Sequence, residues 1–436
     1  MRQHAASLLV LACRIAALPG NDASAQLTLP GVDFNVSQLA GSSFSGGPIR
    51  QCRVLVCDFP TRVCTPEKRT SMTLDRGLRD RIALLRFVMI FGVIMLHTPQ
   101  YVPMAAVGDG WFDATKAFFQ LAVFRATVPV LTVISGFLLF GASLDRAPAR
   151  LFNKKARTIL LPFLCFNLPL LPLALGAQLF AGTEMSVQLW PFEPMAWLNA
   201  AFGLTASPIN YPLNFLRDLM ALILLAPLFG WLLRNYAWPG LVLVSVVFFK
   251  NYDGVLVLRD LMAVLFYVGG MVAVRGWNLR LLDRHALLCF LLFLLVCAAI
   301  VYFRIANTTY LRLVAPFLIW PATAWLATSR LGPWLAGMSR YSFFMFLAHA
   351  PVLLLTWILY SRYGSALPYP LYWIMAPVLV TMLLVAVYRV AETLMPRLFP
   401  LLIGAGNRAR AAAPVADAMP VEGGPQPNVT KSEKLA

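Results

Sequence analysis

Charge is scarce in this chain. Only 13% of its 436 residues are charged and 59% are hydrophobic, whereas a typical soluble domain is about 25% charged. Mean hydropathy is +0.71. Acidic residues are the scarcest class: 19 Asp and Glu stand against 36 Lys and Arg, for a net charge of +17. Histidine occurs four times, at His4, His97, His285 and His349. Of the cysteines, Cys165, Cys289 and Cys297 lie in apolar runs. Cys52, Cys57 and Cys64 lack the paired close spacing and the nearby His of a zinc site, so no metal is expected. No internal repeat is visible, which argues against the repeat-built transporter folds. These shortages exclude a water-soluble domain.

What remains is a series of apolar runs of membrane-spanning length. The expected fold is an all-α polytopic membrane protein with about ten transmembrane helices, at roughly 82–102, 117–141, 158–180, 214–233, 238–250, 257–274, 286–303, 311–328, 341–361 and 371–390. The fifth run is the shortest. Basic residues set the orientation. Arg76, Arg79 and Arg81 precede the first run, and Arg146, Arg150, Lys154, Lys155 and Arg157 follow the second. Arg275, Arg280 and Arg284 follow the sixth, and Arg397, Arg408 and Arg410 follow the tenth. The connection 181–213 has Glu184 and Glu193 but no Lys or Arg. Both termini are therefore expected in the cytoplasm. The positive charge follows topology rather than a nucleic-acid partner, and the partner implied is the lipid bilayer.

The ends read differently. Residues 1–75 form an N-terminal extension, either disordered or an upstream start before Met72, and 404–436 read as a disordered cytoplasmic tail. Arg2, the apolar Ser7–Cys13 and Ala-Ser-Ala-Gln outline a signal peptide, but Arg14 interrupts it. Cleavage there would also leave Arg76, Arg79 and Arg81 outside, against the positive-inside rule. The membrane domain is 76–403.

One stretch organises that domain: Arg86-Phe-Val-Met-Ile-Phe-Gly-Val-Ile-Met-Leu-His97. Arg86 and His97 are eleven residues apart, so they share a helix face about 16 Å apart along the axis. An ionisable group inside a membrane helix is costly and by default functional. His97 therefore reads as a catalytic base, at the depth where Arg125, Arg217-Asp218 and Arg259-Asp260 open other spans from outside. The plainer readings stand beside this one. His97 bonded to a neighbouring carbonyl, the two Arg-Asp pairs as interfacial anchors, Lys154, Lys155 and Arg157 as topology determinants, and Ser135-Gly136 as a helix contact account for the same residues.

Arg86-x10-His97, followed by Arg125-x3-Pro129 and Ser135-Gly136-Phe137-Leu138, resembles the opening of the acyltransferase family 3 membrane proteins. Lys155-Ala-Arg157 with Pro162 is similar to that family's basic turn into its third span. Pro212-Leu-Asn-Phe215-Leu-Arg217-Asp218-Leu resembles its Trp-Phe-Leu-x-x-Leu segment, with Asn214 where Trp is usual. Ser339-Arg-Tyr-Ser342…Leu347-Ala-His349-Ala-Pro351 resembles its late Ser-Tyr-Ser…Tyr-Leu-x-His-Pro segment. The pieces run in order over 76–395. The departure is Asp80-Arg-Ile-Ala-Leu-Leu-Arg86-Phe87, which lacks the usual small residue after the arginine.

The resemblance implies a stand-alone O-acyltransferase of the bacterial cytoplasmic (inner) membrane. It would move an acetyl or succinyl group from acyl-CoA, a co-substrate rather than a bound cofactor, to a sugar hydroxyl of a cell-envelope glycan or exopolysaccharide. Polysaccharide biosynthesis machinery is a further implied partner, and nucleic acid is not. Residue by residue it implies His97 as general base, with Arg86 and Arg125 orienting the chain or neutralising developing charge. Ser135, Arg217, Asp218 and His349 fall to substrate binding, and Lys155 and Arg157 to the CoA phosphates. The alternative is a transporter or flippase for a lipid-linked saccharide, which also explains many spans with buried charge.

Overall fold

The computed structural model describes residues 75–182, 187–364 and 366–405, together with four short strands nearer the N-terminus. The chain divides into two units, 1–69 and 70–436. In the first, Leu27–Leu29 pairs antiparallel with Val32–Phe34, and Val56–Cys57 with Cys64–Thr65. Apart from these strands, Asp75, Gly404 and Ala405, the expected disorder of 1–75 and 404–436 falls outside the described residues.

The described part of the second unit is helical throughout. Its helices are α1 (Arg76–Leu96), α2 (Trp111–Ala117), α3 (Thr127–Gly141), α4 (Pro148–Lys155), α5 (Leu161–Asn167), α6 (Leu170–Ala181), α7 (Pro194–Phe202) and α8 (Asn214–Asn235). They continue with α9 (Ala237–Phe249), α10 (Asp260–Val274), α11 (Ala286–Tyr302), α12 (Thr309–Thr328), α13 (Gly332–Tyr363), α14 (Tyr369–Leu394) and α15 (Phe399–Leu402). Among the described residues, seven stretches are long and apolar enough to cross a membrane: 111–141, 148–180, 211–235, 283–302, 309–328, 332–363 and 369–394. The remaining expected runs are also helices but differ in kind. α9 and α10 are only 13 and 15 residues long, and α1 carries Arg76, Arg79, Asp80, Arg81 and Arg86 among its 21 residues.

Local chemistry explains where α1 begins and ends. Asp75 caps it by accepting from the Leu78 N–H at 2.7 Å. Arg81 then anchors the first turns. Its guanidinium forks onto Asp283 at 2.7 and 2.9 Å, donates to the Thr323 hydroxyl at 2.8 Å, and lies over the Trp320 ring. Such a bidentate pair is charge-assisted and fixes the orientation of both side chains. Phe87, the bulky departure after Arg86, is buried edge-on to Trp334 with ring centroids 6.1 Å apart. The helix was expected to continue to residue 102. It stops at Leu96 because Pro99 disfavours helical geometry in the residue before it, and His97 becomes the C-cap.

The second expected run is also broken. α2 passes into a π turn at Phe118–Ala122 and a 3₁₀ turn at Val123–Ala126 before α3. Proline offers no N–H to the carbonyl four residues back, so Pro129 frees the carbonyl of Arg125. The irregular backbone falls on that arginine.

α3 and α10 pack backbone to backbone through reciprocal glycines. A Cβ at Gly136 would lie 2.1 Å from the Phe266 carbonyl oxygen, and one at Gly269 would lie 2.1 Å from that of Val133. Gly136 is thus a small-residue helix contact. Gly136→Ala is expected to force α3 and α10 apart and to cost about 1–3 kcal/mol, as overpacking does. The check is the midpoint of thermal unfolding in detergent, with Ser135→Ala, which loses only a bond to the Leu131 carbonyl of its own helix, expected near wild type.

Candidate active site

His97 stands at the carbonyl end of α1, with its own N–H spent on the Val93 and Ile94 carbonyls at 3.1 and 3.2 Å. That end of a helix carries partial negative charge and favours a cation. The ring is held from two sides. The Tyr211 hydroxyl bonds to His97 Nδ1, and the two rings meet edge-on with centroids 4.7 Å apart. On another side His349 stacks nearly parallel, 5.5 Å between centroids at 22°. His349 is fully buried. Its Nδ1 lies 2.9 Å from the Phe346 carbonyl and 3.2 Å from that of Met345, so Nδ1 carries the proton. Its Nε2 has no partner among the described residues. His349 therefore backs His97 and does not line the cavity.

Tyr211 is placed by two buried asparagines. Asn167 donates to the Ala200 and Ala201 carbonyls at 2.8 and 2.7 Å and accepts from the Asn210 N–H at 2.9 Å. The Asn210 amide donates to the Phe166 carbonyl at 3.0 Å and to the Leu347 carbonyl at 3.1 Å. Leu347 is four residues before Pro351, so its carbonyl lacks the usual helical N–H. Asn210 fills that vacancy. The His349-Ala-Pro351 motif thus supplies both the ring under His97 and the acceptor that docks the Tyr211 loop.

These groups open onto a cavity of about 440 Å³ lined by His97, Tyr101, Arg125, Tyr211, Arg259 and Arg312 with apolar neighbours such as Phe215 and Phe346. Arg125 donates to the Tyr101 hydroxyl at 2.6 Å. A smaller cavity of about 210 Å³ shares Tyr101, Arg125 and Arg312 with it.

The other expected site residues fall in two different places. Arg86 and Ser135 line a separate cavity of about 470 Å³, together with Arg79, Lys154 and Lys155. Ser135 itself donates to the Leu131 carbonyl at 2.7 Å. Arg157 is exposed and is absent from that lining. Arg86 and His97 thus share a helix but not a cavity. Arg217 and Asp218 line neither. The five N–H groups of Arg217 reach the carbonyls of Gly203 at 2.7, Leu204 at 2.5, Val255 at 2.5 and Leu256 at 2.6 Å, and Asp218 Oδ1 at 3.0 Å. They tie two loops together behind the site.

Tyr211, Arg312 and Tyr101 escaped the sequence reading as site residues, and Arg259 was placed at the depth of His97 without a role of its own. Arg312 had a signal, because it precedes Pro316 by four residues just as Arg125 precedes Pro129.

Comparison with known proteins supplies the class. The family model described as "Acyltransferase domain" matches residues 79–389. A succinoglycan biosynthesis protein, ExoH of Rhizobium meliloti (strain 1021), is 32% identical over 356 residues, covering 78% of this chain and 96% of that one. No solved structure matches. A family match over most of the chain and a full-length relative agree with five motifs read in order. The chain belongs to the acyltransferase family 3 and is a multi-pass membrane O-acyltransferase.

Proposed function

We propose that this protein transfers an acetyl or succinyl group from acyl-CoA to a sugar hydroxyl of an exopolysaccharide, with His97 as general base. In this reading all ten apolar helices span the bacterial cytoplasmic membrane and both termini are cytoplasmic. The basic cavity of Arg79, Arg86, Lys154 and Lys155 then faces the cytoplasm, where acyl-CoA is made, and takes the CoA phosphates. The His97 cavity faces outward and receives the glycan. The relative named for succinoglycan biosynthesis supports a polysaccharide acceptor.

The observation that carries the reading is the setting of His97: a cavity-lining imidazole fixed by Tyr211 and His349 at a helix carbonyl end. When Nδ1–H donates to the Tyr211 oxygen, Nε2 keeps its lone pair for the acceptor hydroxyl. The sugar O–H proton passes to Nε2 as the oxygen attacks the thioester carbonyl carbon. Negative charge gathers on the carbonyl oxygen, where Arg125 neutralises it. The C–S bond breaks, and the departing sulfur takes the proton back from the imidazolium that the α1 terminus has stabilised.

The test compares envelope polysaccharide from wild-type and deletion strains by mass and proton NMR. Full-length polymer lacking one acyl ester is the expected result. Loss of the polymer itself would instead favour the flippase.

A further inference from the structure

The His97 cavity holds more positive charge than one reacting centre needs. Arg125, Arg259 and Arg312 line it. All three lie within electrostatic reach of one another. Among the described residues, neither this cavity nor the smaller one that joins it has an Asp or Glu in its wall.

The three differ in what offsets them. Arg125 is engaged by Tyr101. Arg259 has Asp218 and the Tyr211 hydroxyl within electrostatic reach. Among the described residues, the charged groups within electrostatic reach of Arg312 are Arg125 and Arg259, both like charges. One nitrogen, Nη2, reaches the Thr309 hydroxyl at 3.2 Å, and its Nε is buried with no partner among the described residues. A partly buried cation without a counter-ion is costly unless a ligand supplies one. Guanidinium is the side chain that matches a carboxylate with two parallel N–H groups. Arg312 is also one of the residues where the two cavities meet, in the wall that carries His97.

We propose that Arg312, with Arg259, forms an anion subsite beside the reacting centre. It takes the free carboxylate of a dicarboxylic acyl group, and so selects succinyl over acetyl donors. The proposal rests on the O-acyltransferase reading with acyl-CoA as donor. The same carboxylate chemistry is available from an acidic sugar of the acceptor, and the experiment separates the two sources.

The experiment uses the full chain in lipid nanodiscs, with polysaccharide from the deletion strain as acceptor. Thiol release is measured from succinyl-CoA and from acetyl-CoA. The wild-type protein is expected to favour succinyl-CoA by kcat/KM. Arg312→Gln is expected to lower the succinyl-to-acetyl ratio at least about tenfold, because a site built to bond a charged group discriminates strongly by its presence. Arg312→Lys is expected to restore part of the ratio. Free succinate against free acetate as inhibitors of the wild-type protein adds an arm that needs no variant, with succinate expected at least about tenfold more potent.

A wild-type ratio near one, equal potency of the two acids, or an unchanged ratio in Arg312→Gln would each overturn the subsite. A ratio near one with turnover lost on carboxyl-reduced polymer would move the anion to the acceptor. Turnover of neither thioester, while the deletion strain still lacks an ester, would overturn the donor along with the subsite and leave the transferase reading standing.

Discussion

His97→Ala is expected to lower acyl transfer by about 10²–10⁴-fold, the usual worth of a positioned acid–base group, and to leave the fold in place. Retention of the fold follows from the setting of the ring. His97 is only partly buried, it faces a cavity, and its backbone N–H, not its side chain, closes the end of α1. Removing the imidazole leaves room that water can fill and frees a Tyr211 hydroxyl already at the cavity wall. Tyr211→Phe belongs with this prediction. It keeps the edge-on ring contact but loses the hydrogen bond that fixes the His97 tautomer, so a loss smaller than that of His97→Ala is expected. The measurement is ester content of polysaccharide from strains carrying each variant, normalised to protein in the membrane. Full acylation in His97→Ala at a wild-type protein level would make His97 a packing residue.

His97 and His349 stand out in the sequence, whereas the tyrosine loop that holds His97 does not, because no local pattern ties it to either. A lone imidazole at the end of an apolar run is conspicuous because the membrane makes it expensive. The tyrosine that holds it comes 114 residues later on a separate loop. That loop is docked by Asn210 onto a carbonyl that Pro351 leaves open. No local pattern joins those four residues. The motifs were visible one at a time, but the vacancy that links them appears only once the helices are packed. The same limit applies to Arg86. Helical periodicity puts it on the His97 face, yet about 16 Å of helix separates the two, and Arg86 lines another cavity, beside Lys154 and Lys155.

Seven of the ten expected spans are long apolar helices among the described residues, for a related reason. Apolar length is dictated by the bilayer and needs no knowledge of neighbours. The seven long helices follow that rule. What length cannot foresee is where prolines interrupt a run. The end of α1 before Pro99 and the irregular turns before Pro129 are both such interruptions, and both carry site residues.

Two Arg-Asp pairs, 217–218 and 259–260, look alike in the sequence, each opening a helix. Packing separates them, which sets up the largest stability effect expected here. Arg217 is a buried staple whose five donors are all used, four of them on carbonyls of the 203–204 and 255–256 loops. Asp218 is fully buried, and its Oδ1 is divided between Arg217 and the Leu258 N–H. Arg217→Met removes the cation at similar length. It leaves Asp218 short of a partner and four carbonyls without donors. Breaking such a buried pair costs about 3–5 kcal/mol, a large fraction of the 5–15 kcal/mol by which domains are stable. The variant is therefore expected to show strongly reduced membrane levels and a lowered unfolding midpoint in detergent. The fraction that folds is expected to keep a near wild-type KM for donor and acceptor, because Arg217 does not line the cavity. A staple and a substrate ligand thus predict opposite outcomes. A raised KM with normal membrane levels would return Arg217 to the substrate, whereas lost protein with unchanged KM assigns it to the scaffold that holds Tyr211 and Arg259 in place.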